Sequence, residues 1–68
     1  MGTIYQKVGE NIKKYRKVQR LSQEELALMA KLDPKSIVKI EIGERNPTLK
    51  TIKKIASVLK VKPAELFE

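Results

Sequence analysis

Local signals along the chain predict an all-α fold. Helix-start and helix-stop residues bracket two short segments near its middle, at about 22–30 and 33–43. Apolar residues recur at helical spacing in longer segments on either side. With 68 residues the chain makes one domain, 1–68, able to bury only about 60% of its unfolded surface. The core is therefore small, with little room for a substrate cleft.

In chain order, Met1-Gly2 is read as a flexible start and Thr3 as a cap for a first helix over about Ile4–Val18. Ile4, Val8, Ile12 and Tyr15 form its apolar stripe. Gly9 weakens it by about 1 kcal/mol relative to alanine. Lys7, Lys13, Lys14 and Lys17 lie around its outer surface. Ser22 precedes Glu25 at the spacing of a capping box, in which the serine oxygen takes a free backbone N–H and the glutamate reaches back. Leu26, Ala27 and Ala30 then mark one buried face of a helix ending near Ala30. Asp33 is a good N-cap and Pro34 fits the first helical position, where its missing N–H costs nothing. Gly43 supplies the stop, since it tolerates the left-handed conformation just past a helix end. Two helices at about 22–42 with a connection of three or four residues make a helix-turn-helix. Residues 44–47 form a loop and Thr48 caps a fourth helix whose inner face is Leu49, Ile52, Ile55, Ala56 and Leu59. Lys62-Pro63 opens a last short helix, with Leu66 and Phe67 covering the core or joining a subunit contact. No repeat, linker, or sensor or catalytic domain is expected.

The second helix of the pair has two distinct faces at 100° per residue. Ile37, Ile40 and Glu41 point one way; Lys35, Lys39 and Ile42 point the other, with Ser36 and Val38 on the flanks. The apolar face must pack on the domain, so the lysines project into solvent or a partner. In a DNA-binding helix-turn-helix the second helix enters the major groove, N-terminal residues nearest the bases. Lysine suits that place because its ammonium donates to guanine O6 and N7.

Charge supports a polyanionic partner. Fifteen Lys/Arg against eight Asp/Glu give +7. The excess sits in residues 1–20 and 46–62, each with a net +5, a field that attracts and speeds encounter with nucleic acid. A membrane surface fits less well, because membrane-active helices carry larger apolar or aromatic faces. Three aromatics, Tyr5, Tyr15 and Phe67, are too few for single-strand binding by stacking. With no cysteine and no histidine, disulfides, zinc-finger ligation and thiol or imidazole catalysis are excluded. Ser22, Ser36 and Ser57 have no histidine to activate them, adjacent Glu24 and Glu25 diverge on a helix, and no phosphate-binding or dinucleotide fingerprint occurs. The chain is expected not to be an enzyme and to need no cofactor, metal or small-molecule ligand. No apolar run approaches a membrane span and no signal-peptide core opens the chain, so a cytoplasmic protein is expected.

The runs LSQEELA (21–27) and IVKIEIGERNPTL (37–49) resemble the lambda-repressor-like, XRE/Cro-type helix-turn-helix family. The likeness extends from about Val8 (VGENIKKYRK) to Phe67 (VKPAELF). It implies a compact five-helix lambda-repressor-like domain that binds double-stranded operator DNA sequence-specifically, as a homodimeric transcription regulator on an inverted repeat. Two such subunits place their second helices one DNA turn, about 34 Å, apart. By the same resemblance Lys35, Ser36 and Lys39 contact base edges, and Gln23, Arg45 and Asn46 contact phosphates. Arg16 and Glu41 stand where relatives form an ion pair, which explains a carboxylate on an apolar face that would be expensive unpaired. Val58, Val61, Leu66 and Phe67 are candidates for the dimer contact or for the core. The chain departs from the family at Arg20 and Lys31, where relatives often carry glycine, and at Pro34, which removes a polar contact. Exposed Val38 and Ile42 could meet thymine methyls, the following loop or a protein. Small phage repressors and restriction-modification controllers stay open as readings. So does a protein-interaction module such as the antitoxin of a toxin-antitoxin pair, or a domain excised from a longer protein.

Overall fold

The computed structural model describes residues 3–68; the expected flexible Met1-Gly2 start lies outside the described residues. Four α-helices follow one another: α1 (Ile4–Val18), α2 (Gln23–Ala30), α3 (Pro34–Glu41) and α4 (Leu49–Leu59). The expected fifth helix is a 3-10 helix, Pro63–Phe67. Five residues opened by a proline are too few for an i→i+4 ladder, and its bonds run Glu65 N to Lys62 O and Glu68 N to Glu65 O. No helix among the described residues is long and apolar enough to cross a membrane.

Each α-helix starts on a side chain that replaces the missing intrahelical partners. Thr3 and Ser22 make reciprocal capping boxes with Gln6 and Glu25, Asp33 accepts from the Lys35 N–H, and Thr48 accepts from the Thr51 N–H. The Ser22 backbone N–H and the Ser22 hydroxyl both bond with Glu25, and together they hold its carboxyl below the usual range.

All four α-helices also end alike, each with a 6→1 and a 5→2 bond. For α2 these are Leu32 N to Ala27 O (2.8 Å) and Lys31 N to Leu28 O (3.2 Å). The motif puts its penultimate residue in left-handed backbone. Gly43 serves α3 at φ 81°, but Arg20, Lys31 and Lys60 serve the other three at φ 58°, 59° and 61°. A side chain there costs roughly 1–2 kcal/mol. Every one of the three is basic, and a cation at a helix C-terminus recovers about 0.3–1 kcal/mol from the helix dipole. The residue that follows each, Leu21, Leu32 or Val61, is half-buried against the core.

The core is one cluster: Val8 and Ile12 of α1, Leu26 and Ala27 of α2, Ile37 and Ile40 of α3, Ile52, Ile55, Ala56 and Leu59 of α4, and Leu66. Leu66 is wholly buried, which removes it from any subunit contact; Val58 and Val61 pack partly on the core, and Phe67 is exposed. Buried Asn11 donates through Nδ2 to the Leu66 carbonyl at 2.8 Å and pins the 3-10 helix to α1. Two expected core residues are outside it. Ile4 and Leu49 are 57% and 62% exposed. Each is the first residue of its helix, and helical side chains lean toward the N-terminus, so both overhang the helix start where nothing covers them.

Gly9 turns out to matter for packing as well as propensity. α3 crosses α1 so closely there that a Cβ on Gly9 would meet the Ile40 carbonyl oxygen and lie 2.8 Å from that of Glu41. A side chain at residue 9 would push the two helices apart.

Candidate nucleic-acid interface

The buried face of α3 is fixed by apolar packing and one polar junction. Ile37, Ile40 and Glu41 are all buried, as the face count expects. Arg16 donates from Nε to Glu41 Oε2 at 2.6 Å and from Nη2 to Oε1 at 3.1 Å. Its Nη1 donates to the Leu21 carbonyl at 2.8 Å. One guanidinium thus joins the end of α1, the entry to α2 and the end of α3. The paired side chains are only 10% and 2% exposed, and a forked, charge-assisted pair of this kind fixes direction as well as distance.

With that face committed, the opposite face of α3 is free. Lys35, Val38, Lys39 and Ile42 are exposed and Ser36 is half-buried. The structure therefore brings the three expected base-contacting residues, Lys35, Ser36 and Lys39, onto one accessible side of a helix anchored from behind. Lys31, Leu32 and Asp33 make the turn before it, and Lys31 has the left-handed backbone that the missing glycine implied.

The expected phosphate contacts flank this face. After Gly43 the loop folds back, with Glu44 N–H and Arg45 N–H both donating to the Lys39 carbonyl at 2.9 and 3.3 Å. Arg45 is thereby laid along α3, and its Nη1 donates to Ser36 Oγ at 2.7 Å. Asn46 is exposed in the same loop. Gln23 opens α2, where backbone N–H groups lie outside the helix's own bonds and attract an anion. Its side chain is half-buried and donates from Nε2 to Glu41 Oε1 at 3.1 Å, so one of its two amide protons is held by the buried carboxylate. Sequence reasoning missed both the Gln23–Glu41 and the Arg45–Ser36 bonds. Asn11 was missed too, though a polar residue between Val8 and Ile12 on the apolar stripe of α1 signals a buried hydrogen bond.

The model of a family described as Helix-turn-helix (HTH_3) matches residues 12–66. The chain belongs to this family. Solved structures agree with the family assignment. The restriction-modification controller protein C.AhdI from Aeromonas hydrophila is 37% identical, with 91% of this chain and 94% of that one covered and a TM-score of 0.88. The wild-type restriction-modification controller protein C.Esp1396I is 34% identical over 98% of this chain and 87% of that one, TM-score 0.87. SinR, a master regulator for biofilm formation solved in complex with DNA, is 32% identical over 90% of this chain and 98% of that one, TM-score 0.86. Comparison with curated proteins gave no match. The family foreseen from SQEELA and GERNPTL is thus the one the chain matches, and its all-helical fold follows.

Proposed function

We propose that this chain is a transcription regulator that reads operator DNA by placing α3 in the major groove. The observation that carries the reading is the division of α3. Ile37, Ile40 and Glu41 lock one side to the domain, while Lys35, Ser36 and Lys39 stand together on the other. A lysine ammonium at that face donates to guanine O6 and N7. Gln23 at the N-terminus of α2 and Arg45 and Asn46 in the loop after α3 set the register on phosphates, which position the helix without reading sequence. The net +7 supplies the long-range attraction.

The protein acts in the cytoplasm as a homodimer on an inverted repeat and carries out no catalysis on the DNA. Its similarity to two restriction-modification controller proteins and to SinR, which was solved in complex with DNA, supports a DNA-binding regulator over a toxin-binding module.

Selection from a randomised duplex pool, with recovered affinities measured at low and high salt, tests the reading. Enrichment of an inverted repeat with half-sites about 34 Å apart is expected. Salt-sensitive binding without enrichment would leave a nonspecific coat held by phosphates, and no binding at low salt would favour the protein-interaction module.

A further inference from the structure

We propose that Arg45 is a positioning residue for Ser36, making the serine hydroxyl a hydrogen-bond donor toward the base edge rather than an acceptor. The proposal rests on the DNA-reading assignment above and says which chemistry one reader selects.

A serine hydroxyl has one proton and two lone pairs, and free in water it serves as donor or acceptor alike. Here the choice is biased before DNA arrives. The Arg45 guanidinium donates from Nη1 to Ser36 Oγ at 2.7 Å. A cation on the oxygen occupies one lone pair, polarises the O–H bond and strengthens it as a donor. It also repels a second donor that approaches the same oxygen. Base edges that offer an acceptor, such as guanine O6 and N7, adenine N7 or thymine O4, are then favoured. The cytosine amino group, which offers only a proton, is disfavoured.

The contact is held from behind. Arg45 reaches Ser36 because the loop is turned back by two backbone bonds to the Lys39 carbonyl and because Gly43, at φ 81°, makes the reversal. Guanidinium has five donors in a fixed fork. One is spent on Ser36, which leaves others for the phosphate contact assigned to Arg45. A single side chain thus couples the backbone register to a base reader: when the phosphate moves out of place, the serine loses its bias.

The test compares preferences, base pair by base pair, for the parent, Ser36→Ala, Ser36→Thr, Arg45→Lys and the double variant S36A/R45K, all by selection from the same duplex pool. Ser36→Ala should flatten the preference at one base pair in each half-site by about twofold to tenfold, the effect of one hydrogen bond. That pair should exclude cytosine from the strand facing Ser36. Ser36→Thr, which keeps the hydroxyl, should restore it. Arg45→Lys retains a cation for phosphate but loses the fork, and should flatten the same pair; the double variant should be no flatter there than Ser36→Ala. Arg45→Lys that weakens every sequence equally, with the Ser36-dependent pair at full preference, would overturn the proposal and leave Arg45 a phosphate contact alone. A parent protein that selects no sequence would overturn the DNA-reading assignment and this proposal with it, and the parent measurement by itself separates that failure from the previous one.

Discussion

Replacing Gly9 by alanine should destabilise the protein, although alanine is the better helix former. In an isolated helix the exchange gains about 1 kcal/mol. In this structure the new methyl lies 2.8 Å from the Glu41 carbonyl oxygen and meets that of Ile40, whereas carbon–oxygen contacts settle near 3.3–3.6 Å, roughly. The C-terminal end of α3 must therefore recede by more than about half an ångström. Both obstacles are backbone carbonyls, which cannot turn aside as a side chain would. Overpacking costs about 1–3 kcal/mol, and rigid obstacles place this case at the upper end. Net of the helix gain, about 2 kcal/mol should be lost, a fall in Tm of roughly 8–16 °C for a domain of this size. Circular dichroism during thermal and urea unfolding of the parent and Gly9→Ala measures it. A variant as stable as the parent, or more so, would refute the close approach of α1 and α3 and with it the way the recognition helix is seated.

Four other substitutions probe separate features. Glu41→Ala strands the Arg16 guanidinium in a buried site and should cost about 3–5 kcal/mol in urea unfolding, whereas a loss under 1 kcal/mol would mean the pair is a surface ornament. Lys39→Ala should change stability by less than about 0.5 kcal/mol yet weaken binding to selected duplexes by about 1–3 kcal/mol if the lysine reads a guanine; an unchanged preference would remove it from the reading face. Lys31→Gly relieves a left-handed side chain and should raise stability by up to about 1 kcal/mol, with a larger gain at high salt, where the dipole benefit of the lysine is screened; a lower Tm contradicts the strain. Ser22→Ala keeps the backbone N–H that lowers the Glu25 carboxyl most but removes the hydroxyl, so it should return that carboxyl part of the way toward its ordinary pKa in an NMR titration. Because that pKa is lowered in the folded state, the bond adds stability above the unfolded value of 4.5. The contribution is lost as pH falls through the folded value. The stability gap between parent and variant should therefore narrow on acidification, and a constant gap would deny the linkage.

Helix limits were readable because their causes lie within three residues of one another. Ser22 with Glu25, Asp33 with Pro34 and Thr48 with Thr51 are local arrangements, and each sits at the observed start of its helix. The inward turn of Glu41 was readable for a similar reason, since it shares a face with Ile37 and Ile40. The packing role of Gly9 was not legible, because its sequence neighbours say nothing of the carbonyls of Ile40 and Glu41, some thirty residues away. Leu49 and Ile4 match the apolar stripes of their helices, but a stripe does not reveal whether a neighbour extends over its first turn. Lys60 gave no glycine-like signal for its left-handed backbone, and the bond from Arg45 to Ser36 depends on a loop reversal that composition does not encode. Chemistry confined to one helix was legible; of the contacts between elements only the Arg16–Glu41 pair was foreseen, and that through the family resemblance.

The division of α3 also bears on how such a protein acquires new targets. Every residue that holds the helix in place is on one side, and the side chains offered to a partner are on the other, within eight residues. The side chains of Lys35, Val38, Lys39 and Ile42 take no part in the anchoring bonds, which use only their backbone groups, so a change among them alters what is recognised without altering how the helix is presented. Address and mounting are separate inheritances in this molecule. A lineage can drift across operators through a few exposed codons while its core stays still, provided Ser36 and Arg45, which span the divide, change together.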